Sequence, residues 1–294
     1  MNIMQSNDQY ADDTTLAPEQ IKPGHAKFVG SIPEMYDRHL GPLLFEFSAA
    51  DIAERIARHQ PDARRVLEVA CGTGICTDHL WRNLNPEVQI LATDLNDAML
   101  DHARENRKAL TNVTFQQADA QALNIPDNTQ DAVVCQFGLM FFPDKAVALS
   151  EFARVLKPGG TLALNVWDDL TVNKVAGIAK DVIAGFFEDN APDFLTVPFG
   201  YSDLDPIRRL VQGAGLEKLE FAIVETTVER PSAVSVARGF VEGNPGILQI
   251  REHEGVDEEE IIAAVARAYE DEFGPDFLQI PLREIVVLAQ KPLA

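Results

Sequence analysis

Cysteine is scarce in this chain: three residues, Cys71, Cys76 and Cys135, among 294. The count is odd, no CxxC pair occurs, and the six histidines are scattered. A disulfide framework is excluded, and no spacing suits a structural zinc, so no metal is expected. The cysteines fall on or beside apolar stretches and read as reduced core thiols of a cytoplasmic protein. Positive charge is also short: 25 Lys and Arg stand against 46 Asp and Glu, a formal net charge of −21. Phosphate backbones are held by clustered Lys and Arg, so no nucleic-acid partner is expected. The acidic field favours solubility and would draw in a cationic ligand. No apolar run approaches the roughly 18–20 residues of a membrane span. The opening MNIMQSNDQYADDTT is polar and acidic and lacks the basic start and apolar centre of a signal peptide. Residues 1–25 are expected to form a disordered or loose tail.

What is present is a rhythm. RRVLEVA, VQILATD, VTFQQAD, DAVVCQF and TLALNVW read as buried strands. Between them stand helical stretches: about Ile75–Leu84, NDAMLDHARENRKAL with Asn96 as cap, and KAVALSEFARVLKPGG closed by Pro158 and two glycines. Upstream, Pro33 suits a helix first turn after Ser31, and Ala49–His59 has helical spacing. After Trp167 the rhythm breaks. Val172–Asn190 reads as helix, SDLDPIRRLVQGAGL as helix with a glycine stop, and EKLEFAIVETTVE as strand. Ser232 to about Phe273 is mostly helical, with an acidic first turn in DEEEIIAAVARAYEDEF, and LREIVVLAQKP closes as a strand. The expectation is an α/β fold: a Rossmann-like, mostly parallel seven-stranded sheet with helices on both faces and a helical lid from insertions. Residues 26–167 would hold the N-terminal helices and the ligand-binding core. Residues 168–294 would hold the remaining strands and the lid insertions, about 168–190 and 232–275.

The first strand ends on a glycine turn, ACGTG. A helix N-terminus offers unpaired N–H groups, and glycine lets a ligand approach the backbone, so Gly72, Thr73 and Gly74 form a candidate cradle. Asp94 ends the second strand, where an acidic residue accepts hydrogen bonds from ribose hydroxyls; Asn96 already serves as the next helix's cap. Asp119 and Ala120 follow the third strand and offer the acceptor and N–H that an adenine edge needs. Leu95 and Met99 supply apolar faces for the ring. Three such sites at successive strand ends match the ligand crevice of an open parallel sheet, for a dinucleotide or for S-adenosylmethionine alike.

Together VLEVACGTG, LATDLNDAML, QQADAQALNIPDNTQDAVVCQFGLMFFPD and EFARVLKPGGTL, covering about residues 64–162, resemble the class I S-adenosylmethionine-dependent methyltransferases. The likeness is strongest to the branch containing the ubiquinone/menaquinone-biosynthesis C-methyltransferases, and YDRHLGPLLF resembles the segment that precedes its core. The resemblance implies S-adenosyl-L-methionine as cofactor. It sets Gly72, Thr73 and Gly74 against the methionine part with Glu68 beneath, Asp94 on the ribose, Asp119 and Ala120 on the adenine, and Gln136 near the methionyl moiety. Tyr36 and Arg38 close over the cofactor. The family's first turn glycine is Ala70 here, a methyl that fits if the position has ordinary backbone angles.

The implied reaction is in-line transfer of a sulfonium methyl to an O-, C- or N-nucleophile of a partly apolar small molecule. Holding the partners aligned supplies much of the catalysis, so a strong base is optional. His39, His79, His253 and Tyr201 qualify as bases by residue type alone, and no catalytic residue is assigned. A nicotinamide-dependent oxidoreductase is the enzymatic rival, but no Tyr has Lys four residues on. Thiol-based arsenic methylation would need cysteines outside the cofactor strands. A cofactor-binding scaffold without turnover would carry the same motifs and differ only in an assay. Substrate choice is expected to reside in a lid, where Val175, Ile178, Ala179, Val182 and Ile183, and Ile261, Ile262, Val265 and Ala266, form apolar helical faces. The alternative for those faces is core edge or a homodimer contact. The lid reading puts Met140, Phe141, N-terminal Phe and Met side chains and both insertions around one cavity.

Overall fold

The structure, a computed structural model, describes residue 24 and residues 27–293. The tail expected over residues 1–25 lies outside these, Gly24 excepted. The chain enters through a short helix α1 (Ile32–Met35), with Pro33 in its first turn. A ten-residue π-helix follows, Tyr36–Phe45, with Pro42 inside it. The sequence pattern gave no sign of it, because apolar residues in a π-helix do not recur at the 3.6-residue spacing that marks an α-helix. Pro42 brings no N–H to an α-helical ladder, and at the C-cap the Glu46 N–H reaches back five residues to the Gly41 carbonyl. Helix α2 (Glu46–His59) continues and buries Ser48, Ala49, Ile52, Ala53 and Ile56 along one stripe.

The alternating core then runs β1 (Arg65–Val69), α3 (Ile75–Asn83), β2 (Gln89–Asp94), α4 (Asp97–Asn106), β3 (Val113–Gln117), β4 (Gln130–Gln136), α5 (Lys145–Val155) and β5 (Leu156–Trp167). Next come α6 (Lys174–Ala184), α7 (Leu204–Gly213), β6 (Glu217–Arg230), α8 (Ala233–Glu242), α9 (Gly246–Glu252), α10 (Glu258–Phe273) and β7 (Leu278–Gln290). One seven-stranded sheet has the order β3-β2-β1-β4-β5-β7-β6. The first five strands are parallel, and β7 lies antiparallel between β5 and β6. The order reverses between β1 and β4, and a crevice at the carboxyl ends of those strands is where such sheets bind ligands. Central strands are buried on both faces, as a parallel sheet covered by helices requires.

The end of α5 differs from the sequence reading. Lys157, Pro158, Gly159 and Gly160 do not close α5; the chain passes at Leu156 straight into β5. Tertiary pairing decides this: Leu156 pairs with Gln130, with a register irregularity before Ala132 pairs with Thr161.

The helices between β6 and β7 lie over the N-terminal helices. Helix α10 packs on α8 and α6, and α8 packs on the π-helix. Two glycines permit that last approach: a Cβ at Gly239 would stand 2.8 Å from Leu40 Cδ2, and one at Gly243 would stand 3.1 Å from Leu40 Cδ1. The apolar faces of α6 and α10 are buried within this helical layer.

Candidate active site

Strand β1 gives way to the turn at Ala70, and left-handed backbone recurs through it: φ is +57° at Ala70, +54° at Gly72 and +81° at Gly74. Ala70 therefore does not have the ordinary backbone angles on which its fit was expected to rest. Its methyl is accommodated by Gly138 instead, where an added Cβ would lie only 2.6 Å from the Ala70 Cβ. The two small residues face each other across the ends of neighbouring strands β1 and β4.

Asp94 holds the turn from β2. Its Oδ2 accepts from the Gly72 N–H at 2.9 Å, and its Oδ1 accepts from the Asn96 N–H at 2.8 Å. Oδ1 also accepts from Asn96 Nδ2 at 3.4 Å, so it is Oδ2 that keeps a second lone pair for a ligand hydroxyl. Burial pushes the carboxyl's pKa up while these N–H donors pull it down.

Beneath the turn lies Glu68, 1% exposed. Its Oε2 accepts from the Thr77 hydroxyl at 2.6 Å, but Oε1 has no hydrogen-bond partner among the described residues, and neither has the buried Thr73 Oγ1. Burial pushes the Glu68 carboxyl up to about 8. Two orphaned buried oxygens facing one cradle fit a ligand bearing an ammonium and further polar atoms, as the methionine end of S-adenosylmethionine does. Tyr36, Phe45 and Gln136 line the cradle beside the turn. Gln136 is tied to the π-helix, its Nε2 donating to the Phe45 carbonyl at 3.1 Å.

The outer end of the site is more open. Leu95 is 54% exposed while Met99 is buried. Asp119 is exposed, its Oδ1 accepting from the Gln121 N–H at 2.8 Å, and Ala120 beside it is buried. Arg38 is not brought to this site: it is exposed and pairs with Glu34 at 2.7 Å. The cation at the turn is Arg107, which sequence reasoning missed. Its Nε donates to the Gly74 carbonyl at 3.3 Å and its guanidinium pairs with Asp37 of the π-helix at 3.2 Å. No local pattern signals that contact, since Asp37 and Arg107 lie 70 residues apart.

Across Tyr36 and Phe45 from the cradle is a second pocket of about 510 Å³, almost wholly apolar. Tyr36 and Phe45 stack at 4.6 Å, and Phe137 stacks on Trp167 at 4.0 Å with 5° between the planes. Met140 and Phe141 join from the core, and Phe28 and Leu40 from the N-terminal segment. Of the two expected lid insertions only the second joins, through Phe240, Gly243 and Asn244 at the end of α8; no residue of 168–190 lines the pocket, and Phe194, Leu195 and Phe199 reach it from the α6–α7 connection beyond that insertion. Among the described residues no methionine of the N-terminal segment lines it.

The four candidate bases line neither pocket. His39 meets Ser235 at 2.9 Å, His79 meets Glu46 at 2.6 Å, and His253 packs edge-on against Phe187. Tyr201 is buried under the Lys145 ammonium. The phenol that does line both pockets is Tyr36. Burial, then the carboxylates of Asp94 and Asp37, raise its pKa far above the ordinary tyrosine value, so its hydroxyl donates and does not act as a base.

A family model described as a methyltransferase domain matches residues 66–160. The ubiquinone/menaquinone biosynthesis C-methyltransferase UbiE of Pseudomonas putida is 33% identical over 190 residues, covering 62% of this chain and 72% of that enzyme. The enzyme of the same name from Teredinibacter turnerae is 46% identical over 101 residues, which cover 33% of this chain and 41% of that relative. Among solved structures, the YcgJ protein of Bacillus subtilis shares the fold, with a TM-score of 0.53 at 18% identity over 84% of this chain and 100% of that one. Among the described residues no helix is long and apolar enough to cross a membrane. The turn, the Asp94 carboxylate beside it, the strand order and these relatives agree: the chain belongs to the class I S-adenosylmethionine-dependent methyltransferases, is related to the UbiE enzymes, and uses S-adenosylmethionine as its cofactor.

Proposed function

We propose that this enzyme methylates a small, ring-bearing, largely apolar molecule held in the aromatic pocket. The observation that carries this reading is that Tyr36 and Phe45 line both the cofactor cradle and that pocket. When bound, S-adenosylmethionine supplies an electrophilic sulfonium methyl. Gly72, Thr73 and Gly74 hold its methionine end, with Glu68 opposite the ammonium. Asp94 takes the ribose hydroxyls. Leu95, Met99, Asp119 and Ala120 take the adenine, and Gln136 and Tyr36 border the methionyl group. Arg38 has no part in this assignment, and Arg107 stiffens the turn in its place.

The pocket residues exclude water and align the acceptor with the methyl, which supplies roughly 7–11 kcal/mol of the barrier. No side chain placed here is a strong base, so the acceptor brings a ring activated by its own hydroxyl, and the proton displaced by the methyl passes to water as S-adenosylhomocysteine is left behind. The relatives' designation as C-methyltransferases supports a carbon centre on the acceptor ring. Three unpaired buried cysteines support a reducing, cytoplasmic setting. The test is incubation with methyl-labelled cofactor and a panel of small hydroquinones, catechols and alkylphenols, read by mass spectrometry. Label in one ring class supports the proposal. Cofactor binding with no transfer to any apolar acceptor would point to the scaffold reading.

A further inference from the structure

The aromatic pocket is floored by a residue in a costly conformation. Phe137 has φ +51°, rare for a bulky side chain and stable only where its surroundings over-determine it. Its N–H donates to Asn165 twice over, to the backbone carbonyl at 3.2 Å and to Oδ1 at 3.1 Å. An asparagine amide can turn over and present its NH₂ instead. Here it cannot, because its Nδ2 donates to Glu284 Oε2 at 2.7 Å. Glu284 and Asn165 are fully buried. Glu284 pairs across β7 and β5 with Trp167, on which Phe137 stacks. Burial pushes the Glu284 carboxyl up to about 7, and its Oε1 lacks a partner among the described residues. A core that needed only filling has no use for such a group. Neither Glu284 nor Asn165 lines the pocket, whereas Phe137 and Trp167 do.

We propose that Glu284 is a positioning residue for the acceptor pocket: through Asn165 it fixes the left-handed backbone at Phe137 and so the Phe137–Trp167 stack against which the acceptor ring lies. The proposal rests on the reading of that pocket as the acceptor site, and its test needs no methyl transfer. The probe is the apolar dye N-phenyl-1-naphthylamine, followed through quenching of Trp167 in a Trp81→Phe background. S-adenosylhomocysteine affinity is measured alongside by calorimetry. Loss of the hydrogen bond that orients Asn165 predicts that Glu284→Leu weakens dye binding by about tenfold or more, with S-adenosylhomocysteine affinity within about twofold. Glu284→Gln keeps an acceptor for Asn165 Nδ2 and restores the dye affinity. Where Glu284→Leu fails to fold, Glu284→Leu/Asn165→Ala removes the orphaned donor and gives the same dye result. Unchanged dye affinity in a folded Leu or double variant overturns the proposal. So does equal loss of dye and S-adenosylhomocysteine, or failure of Gln to restore the dye.

Discussion

Tyr36 and Phe45, the first and last residues of the π-helix, stack on each other with 18° between their rings and form the wall shared by the cofactor cradle and the aromatic pocket. An aromatic pair of this kind contributes about 0.5–1.5 kcal/mol beyond its buried area. Tyr36→Phe keeps the stack and removes only the hydroxyl. It should leave affinity for S-adenosylhomocysteine within about tenfold, because a neutral hydrogen bond is worth roughly 0.5–1.5 kcal/mol. Tyr36→Ala removes the wall, and both cofactor affinity and acceptor turnover should fall. Calorimetry separates the two variants; equal affinity for Ala and wild type would show that the wall takes no part in cofactor retention.

Asp94 pins the Gly72 N–H, and in the proposed assignment it also accepts from the ribose. Asp94→Ala should lower S-adenosylmethionine affinity by at least about tenfold, since hydrogen bonds to a charged acceptor are worth roughly 1.5–3 kcal/mol. Asp94→Asn keeps one oxygen for Gly72 and should fall between Ala and wild type. Titration calorimetry with circular dichroism as a fold control checks the order, and unchanged affinity in Asp94→Ala would remove the ribose assignment.

These residues were legible in the sequence because their chemistry is local. A glycine turn after an apolar run and a carboxylate at each of the next strand ends need no knowledge of distant contacts. The π-helix was not legible, since its apolar residues follow a different period. Arg107 was not, since its partners Asp37 and Gly74 meet it only in the fold. The family resemblance set Arg38 over the cofactor, yet the helix turns it to solvent beside Glu34. The pocket was foreseen with the wrong wall: the strongly periodic faces of α6 and α10 are spent on burial within the helical layer. The aperiodic segment around Phe194–Phe199 reaches the cavity.

The Ala70–Gly138 contact is a matched pair and should behave as one. A Cβ on Gly138 would meet Ala70 Cβ at 2.6 Å and Cys135 Sγ at 2.8 Å, neither the end of a long flexible side chain. Overpacking at such a site costs about 1–3 kcal/mol. Gly138→Ala should therefore lower the Tm by several degrees, and adding Ala70→Gly should recover part of the loss. A Gly138→Ala protein as stable as wild type would show that the strand ends relax freely.

Glu68 should couple cofactor binding to a proton. Its ordinary pKa of 4.5 rises to about 8 in the folded chain, chiefly through burial. Between those values the folded protein holds a proton that the unfolded chain has released, so this group's stabilising share is present at low pH and is lost as pH rises through about 8. An ammonium placed beside Oε1 favours the ionised form, so binding at pH 7 should expel that proton. Binding enthalpies measured in phosphate and in Tris, whose ionisation enthalpies differ widely, should then differ in proportion to a release approaching one proton per site. Glu68→Gln cannot release it, and its enthalpies should agree between the two buffers. Apo Glu68→Gln should also gain stability relative to wild type more at pH 8.5 than at pH 5, because it carries no charge to bury. Equal buffer dependence in the two proteins would mean that Glu68 keeps its proton state when the cofactor enters, and the ammonium would have to find its partner elsewhere in the cradle.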